Sequence, residues 1–349
     1  MQSKHAQMQG ESGDASATVI GPPQEVYRWS TDHCPGFRGN FETHDRCPND
    51  VAIGCDPDVP DAPLKAFRNA SGAVVVVAPV DLGGRNLVGA SLSSVKHDCH
   101  VMYNSTLDYN MAHNACREWN QSPFAFVNGT IFALTHMEFH DRTTQMGLWS
   151  SVTLLKSSDG GQNWGHALPP PRHIVAAAPY KYETSGPQSV LFGFRSPSNI
   201  LQSRTDDFYY AFVTAGWGHG ASAIGQKDGT CLMRTRDLSD PSSWRAWGGT
   251  AFNISLAVNP YINNTLLPSE HICESVIDMT YPSLLWSSYF ERYMVVGTTA
   301  GNDRRGWSFQ LSVSLDNPHL WGPPVAIATG QHIQPAGNAS HRSIDVVSR

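Results

Sequence analysis

Charged residues are scarce in this chain of 349 residues: Asp, Glu, Lys and Arg make up 15% of it, against about 25% in average soluble proteins. Low charge with 30 Gly, 23 Pro and 10 Trp excludes a helical bundle or a coiled coil. No apolar stretch approaches the roughly 20 residues that cross a bilayer. The net charge is −6, so the basic surface typical of nucleic-acid binding is missing. Aromatic residues at 10% argue against disorder and indicate a β-rich globular protein.

The seven cysteines contain no CxxC pair, which excludes a zinc ribbon and a thioredoxin-type site. Cys34, Cys47 and Cys55 crowd one irregular segment, and Cys99 and Cys116 bracket an Asn-rich loop. This spacing favours disulfides that staple loops. Buried thiols are the alternative.

N-glycosylation sequons are more frequent than chance would give. Because such sequons are acceptors only in secreted chains, their excess predicts a secreted glycoprotein. Residues 1–20 have no apolar core of a signal peptide, so we expect a secreted protein whose signal peptide is not present in this chain. The sequons begin at Asn69, Asn104, Asn120, Asn128, Asn253, Asn263 and Asn338.

Four segments share one plan: a proline, a short apolar run, a turn, and a strand rich in β-branched and aromatic residues. Proline is tolerated at the first residue of a strand, where no ladder N–H is lost. The pattern therefore predicts four hairpins, each entered through its proline at the start of an inner strand. The prolines are Pro63, Pro123, Pro197 and Pro282.

A second repeat consists of polar turns that carry an Asp and end on a Trp, at Ser157–Trp164, Asp237–Trp244 and Ser314–Trp321. In such turns the carboxylate accepts backbone N–H bonds while the Trp packs onto the sheet. A hairpin plus a turn of this kind gives four strands per unit, and radially repeated four-stranded units form a β-propeller. We predict an all-β protein, a five-bladed β-propeller of four-stranded antiparallel blades. Residues 51–349 would form this single domain, and the Cys-containing segment 1–50 would complete the last blade.

The turn at Ser157–Trp164 resembles the Asp-box of sialidase-type propellers, which implies structural roles for Asp159 and Asp316. The segments 61–72 and 119–129 resemble the openings of the first two blades of five-bladed glycoside hydrolases, the group of arabinanases, xylosidases and fructan hydrolases. Two departures matter. Phe124 stands where that group usually has an Asp, and the Arg-Ile-Pro start of sialidases is missing. The resemblance covers residues 55–325 as architecture and implies action on carbohydrate.

Glycoside hydrolysis needs two carboxylates across the scissile bond, one of them a protonated acid. Asp61 is the predicted base, because it opens an inner strand, and Asp278 is the equivalent residue of the fourth unit. Strand alternation puts His136, Glu138 and His140 on one face, which predicts Glu138 as the general acid. The three carboxylates would then converge from different blades. The residues predicted to bind substrate are His136, His140, Trp119, Asn120, Arg195, Asn199 and Tyr281.

The sequence thus predicts a secreted, monomeric, carbohydrate-active enzyme that hydrolyses an oligo- or polysaccharide without a cofactor or metal, although a His-x-Glu-x-His face could also bind zinc. Two alternatives stay open. One is a non-catalytic propeller that binds a glycan or a protein. The other is a polysaccharide lyase, in which a histidine (His136 or His140) with Tyr281 would abstract a proton while Arg195 neutralises the uronate carboxylate. No nucleic-acid or membrane partner is expected.

Overall fold

A computed structural model of the protein describes residues 62–80, 84–139, 148–181, 191–216, 226–299 and 306–329. Within these ranges the chain folds into strands and turns, and the helices are single 3-10 turns at Leu92–Ser94, Pro241–Ser243, Pro268–His271 and Pro318–Leu320. None of these helices has the length and apolar character to cross a membrane. The prediction of an all-β protein is confirmed.

The strands form successive antiparallel meanders. The first blade contains β1 (Lys65–Arg68), β2 (Val74–Val77), β3 (Gly84–Gly89) and β4 (Lys96–Tyr103). The second contains β5 (Arg117–Ala125), β6 (Ile131–Phe139), β7 (Leu148–Ser157), β8 (Gly165–His166) and β9 (Ile174–Ala177). The third contains β10 (Leu191–Arg195), β11 (Leu201–Gln202), β12 (Tyr209–Ala215), β13 (Gly229–Thr235), β14 (Arg245–Trp247), β15 (Phe252–Ile254) and β16 (Ser275–Ile277). The fourth contains β17 (Met279–Ser287), β18 (Arg292–Thr299), β19 (Gly306–Ser312) and β20 (Val325–Thr329).

The first and fourth blades are separate four-stranded sheets in chain order, β1-β2-β3-β4 and β17-β18-β19-β20. The second and third blades are joined, because β10 pairs in parallel with β7 over three residues from Leu191 to Gly193. Blades that follow one another along the chain and pack side by side make a β-propeller. The number of five blades stays a prediction.

Inter-blade packing appears most clearly in β6, whose two faces belong to different hydrophobic clusters. Ile131 and Ala133 pack with residues of the first blade, whereas Phe132 and Leu134 pack with residues of the third. The same alternation recurs in β12, between the second and fourth blades. Because successive side chains of a strand point to opposite faces, a strand that is apolar at every position is buried on both.

The prolines correct one expectation. Pro123 lies inside β5 and Pro282 inside β17, so neither begins its strand. In both strands the register shifts just before the proline, between Asn120 and Ser122 and between Thr280 and Ser283. The physical reason is that proline has no N–H group to donate to the neighbouring strand. At a bulge the ladder of hydrogen bonds is interrupted, so a proline can lie there without the loss of a hydrogen bond.

Two of the three Asp-bearing turns have the predicted hydrogen bonds, while in the third Asn317, and not Asp316, accepts a backbone N–H, from His319 at 3.2 Å. Asp159 Oδ1 accepts the backbone N–H groups of Gln162 and Asn163, each at 3.0 Å. Trp164 is buried and donates its indole N–H to the Gly161 carbonyl at 3.0 Å. Asp240 accepts the Ser242 N–H at 2.9 Å in the same way. Each of these two carboxylates therefore holds its own turn.

One disulfide joins Cys231 of β13 to Cys273 before β16. Cys116, at the end of the Asn-rich loop, is a buried thiol. The expectation of loop-stapling disulfides is met at Cys99, which is disulfide-bonded, while the alternative of a buried thiol holds at Cys116. The spacing did not predict the Cys231–Cys273 bridge. Residues Cys34, Cys47 and Cys55 lie outside the described residues.

Candidate functional site

The predicted polar face of the second blade is present on β5 and β6. Trp119 and His136 are cross-strand partners, and their rings lie 5.6 Å apart. His136 Nε2 lies 3.3 Å from Glu138 Oε1, so the imidazole contacts the predicted acid directly. This face of β6 is the one that packs toward the third blade through Phe132 and Leu134. Trp119, His136 and Glu138 therefore form one polar extension of an apolar interface.

Arg195 connects this face to two other parts of the molecule. Its guanidinium is buried at the end of β10. Burial lowers its pKa from the ordinary value, and the charges of Tyr281, Glu138 and Asp228 oppose that shift. These groups come from the fourth, second and third blades, so the tertiary fold gathers one arginine, one tyrosine and two carboxylates.

Tyr281 is held in an unusual backbone conformation. Its φ is 51° and it directly precedes Pro282, while Ser196, with φ 48°, directly precedes Pro197. Left-handed backbone at a non-glycine residue costs about 1–3 kcal/mol and clusters at functional sites. The two strained residues occupy equivalent places in the third and fourth blades. Tyr281, at the register shift of β17, is 41% exposed, whereas Arg195 is buried.

Asp228 was not among the residues predicted from the sequence. Burial raises the pKa of its carboxyl, and the neighbouring Arg195 acts to lower it. The same carboxylate and burial together raise the pKa of Tyr180 to about 12, with burial the larger cause. In the sequence Asp228 stands in an Asp-Gly pair, which indicates a turn. Only the fold brings it to Arg195.

A small cleft opens beside Arg195 between the end of β9 and the strands β10 and β12. Tyr180, Phe194, Ala215 and Gln226 line it. Tyr180 also packs edge-on against Trp149, with ring centroids 6.0 Å apart. The cleft is small and mainly apolar, and Tyr180 is the titratable residue in its lining.

Three further predicted site residues can be placed in the fold. Asn120 is buried and pairs with Thr135, on the face of β5 opposite to Trp119. Asn199 accepts the Leu284 N–H at 2.8 Å and donates to the Leu284 carbonyl, so its amide ties the third blade to the fourth. Asp278 is exposed between β16 and β17. The predictions for Asp61 and His140 fall outside the described residues.

Comparison with known proteins gives matches at the level of structure. The sequence matches no protein-family model and no curated protein. An endo-arabinase from Bacteroides thetaiotaomicron is 10% identical, with a TM-score of 0.46, over 78% of this chain and 83% of that one. A thermostable family-43 glycoside hydrolase is 10% identical, with a TM-score of 0.43, over 76% and 73%. A GH32 β-fructofuranosidase of Bombyx mori is 14% identical, with a TM-score of 0.44, over 76% and 48%.

The fold is similar to that of propeller glycoside hydrolases. This is the group that the blade openings resemble in the sequence. The arrangement around Arg195 is a property of this chain's own residues, and the functional argument depends on it.

Proposed function

We propose that this protein is a carbohydrate-active enzyme that hydrolyses glycosidic bonds at the site around Arg195. The observation that carries the proposal is that the charges of Glu138, Asp228 and Tyr281, which come from three blades, all act on the pKa of one buried arginine. A carboxylate that only caps a turn serves its own hairpin, as Asp159 does. Carboxylates that share an arginine across blades have no such local structural task.

Glycoside hydrolysis uses two carboxyl groups, one as acid and one as base or nucleophile, and both Glu138 and Asp228 are candidates for the acid. In this proposal Glu138, in contact with His136, donates a proton to the leaving glycosidic oxygen. The raised pKa of Asp228 makes it the competing candidate for the acid, since a general acid must stay protonated near its working pH. Asp61 remains the proposed base, and Trp119 and Tyr281 offer flat faces for a sugar ring. Arg195 would bind sugar hydroxyl groups or a substrate carboxylate.

The test compares Glu138→Gln with the wild type on soluble arabinan, xylan and fructan, and on a polyuronate, with release of reducing ends as the readout. If Glu138 is the acid, turnover on the active substrate falls by about 10²-fold or more, the usual contribution of a general acid. Glu291→Gln, in the exposed turn between β17 and β18, is the matched control and keeps full turnover. A variant with normal turnover and an intact fold would remove Glu138 from the mechanism. Loss in Asp228→Asn instead would assign the acid to Asp228.

A polysaccharide lyase is the second candidate, because Tyr281 acts electrostatically on the buried Arg195 and these residue types could serve as proton-transfer group and uronate clamp. A lyase leaves unsaturated ends that absorb ultraviolet light, whereas a hydrolase does not. The same polyuronate digestion, followed by absorbance as well as by reducing ends, separates the two. Binding without either product would favour a non-catalytic glycan-binding propeller.

We also propose that the chain is secreted and glycosylated. The Cys231–Cys273 disulfide supports an oxidising compartment. Four sequon asparagines of the described residues, Asn104, Asn128, Asn253 and Asn263, are exposed, so that a glycan can attach. Asn120, in contrast, is buried within β5.

A further inference from the structure

A second polar cluster lies on the opposite face of the second blade, away from Glu138. Glu118 of β5 is fully buried, and strand alternation turns it to the other side from Trp119. Tyr103 donates its hydroxyl to Glu118 Oε2 at 2.6 Å, and Thr153 donates to Oε1 at 3.2 Å. His166 Nε2 lies 3.0 and 2.9 Å from the two carboxylate oxygens.

His173 completes this cluster from the segment before β9. It is fully buried, and its ring centroid lies 4.4 Å from that of His166. Its Nε2 lies 3.1 Å from the Asn114 carbonyl, which can only accept, so Nε2 carries the proton. Nδ1 then carries the lone pair, and it is buried without a hydrogen-bond partner.

The His173 ring is also held in the form that metals bind. A histidine whose one ring nitrogen donates to a backbone carbonyl is oriented as metal ligands usually are.

A hydrogen-bond network alone explains Glu118 and His166 but leaves the His173 lone pair unused. A buried acceptor without a donor costs about 1–3 kcal/mol. A bound cation would use this lone pair and would also lie against a fully buried carboxylate. The ligand atoms of Glu118, His166 and His173 all lie within 4.8 Å of one another. Around a tetrahedral zinc they would be about 3.4 Å apart, as bonds of 2.0–2.1 Å require, so the widest pair needs to close by up to about 1.4 Å.

We propose that Glu118, His166 and His173 form a buried site for a divalent transition metal, with zinc favoured by the two-nitrogen, one-oxygen donor set. The site would fasten β5 to the segments that carry β8 and precede β9, all within the second blade. Tyr103 of β4 reaches the same carboxylate, so the first blade would be held as well. Because the cluster faces away from Glu138, its role is structural.

The test measures metal content and stability of the whole chain, independently of any activity on sugars. We expect the protein purified without chelators to hold about one zinc per chain by inductively coupled plasma mass spectrometry. After removal of metal, added ZnCl₂ should raise the melting temperature, as a ligand specific for the folded state does. His166→Gln and His173→Gln should each abolish the bound equivalent and the rise in melting temperature. The matched control is His113→Gln, which removes an exposed histidine 2.5 Å from Asp108.

Two results would overturn the proposal: a wild-type protein that takes up no zinc under either condition, or variants at His166 and His173 that bind as much zinc as His113→Gln. If His173→Gln does not fold, as judged by circular dichroism, the half-buried His166 carries the test. Cobalt adds a direct readout in the wild type. Co²⁺ in the proposed site gives the visible absorption of tetrahedral coordination, and a spectrum of hydrated Co²⁺ alone would contradict the assignment.

Discussion

At the scale of single residues, the centre of the candidate site is a buried arginine. Arg195 is costly to bury without anionic or polar groups around it, and the groups that oppose the lowering of its pKa are those that chemistry on a sugar would need. Its charge in turn restrains the pKa of Asp228, which burial raises. The protonation of the site is therefore set by residues far apart in the sequence.

Replacing Arg195 with glutamine should raise the pKa of Asp228 further, because the substitution removes the positive charge that now lowers it. The pKa can be followed by carbon-13 NMR of labelled Asp carboxyl groups in the wild type and the variant. Arg234→Gln is the control, since the Arg234 guanidinium stacks on Phe208 and Phe252 at 4.0 and 4.3 Å. If Asp228 has the same pKa in all three proteins, Arg195 does not influence its titration, and the prediction is wrong.

At the scale of turns and strands, local hydrogen bonds and close backbone contacts decide stability. Burial acts to raise the pKa of Asp159, but hydrogen bonds from Asn163, Ser157 and Gln162 outweigh it and lower that pKa. A carboxylate with a lowered pKa stabilises the fold above its ordinary pKa. This contribution is lost as the pH falls through the folded-state pKa.

Asp159→Ala should lower the free energy of unfolding by about 1 kcal/mol near neutral pH, the usual cost of losing a capping side chain. Asp159→Asn keeps an oxygen for the Gln162 and Asn163 N–H groups and should lose less. Urea denaturation near neutral pH and again below pH 3.8, the ordinary Asp value, measures both. The difference between wild type and Asp159→Ala should shrink in acid, and turnover should not change. Lost turnover at unchanged stability would place Asp159 in the site.

Gly193 marks the closest backbone contact between the second and third blades. It has φ 89°, and a Cβ there would lie 2.1 Å from the Ser150 carbonyl oxygen. Gly193→Ala should therefore lower the free energy of unfolding by about 3 kcal/mol, combining left-handed strain with a clash. Gly129→Ala is the control: its φ is 85° with nothing within 4 Å of the added Cβ, so only about 1 kcal/mol should be lost. Equal losses in chemical denaturation would mean that β10 can move away from β7.

At the scale of the whole molecule, sheet packing holds the described blades together, the Cys231–Cys273 disulfide ties segments within the third blade, and the surface carries sequons. Expression in a eukaryotic secretory host, followed by glycopeptide mass spectrometry, should find glycans at Asn104, Asn128, Asn253 and Asn263. Asn120 should stay unmodified, because it is buried in β5 once the protein folds. If all the exposed sequon asparagines are unmodified, the result argues against secretion. The disulfide would then be the remaining observation in favour of a secreted protein.

Features that depend on neighbours along the chain could be predicted from the sequence. The strand after each Pro-led segment, the turns at Gly72 and Gly129, and the Asp159 turn follow from alternation and side-chain capping, which act over a few residues. Glu138 and His136 could be placed on one face for the same reason. The all-β fold followed from repeating these local units.

The tertiary structure decided what depends on register and on distant partners. A bulge in β5 and another in β17 put Pro123 and Pro282 inside strands, because ladder geometry, and not the proline alone, sets where a strand begins. Asn199 turned out to bind the backbone of the neighbouring blade, since an inner strand presents an unpaired edge to it. The gathering of Asp228 on Arg195, and of His166 and His173 on Glu118, has no sequence period, because it arises only when separate blades and segments pack together.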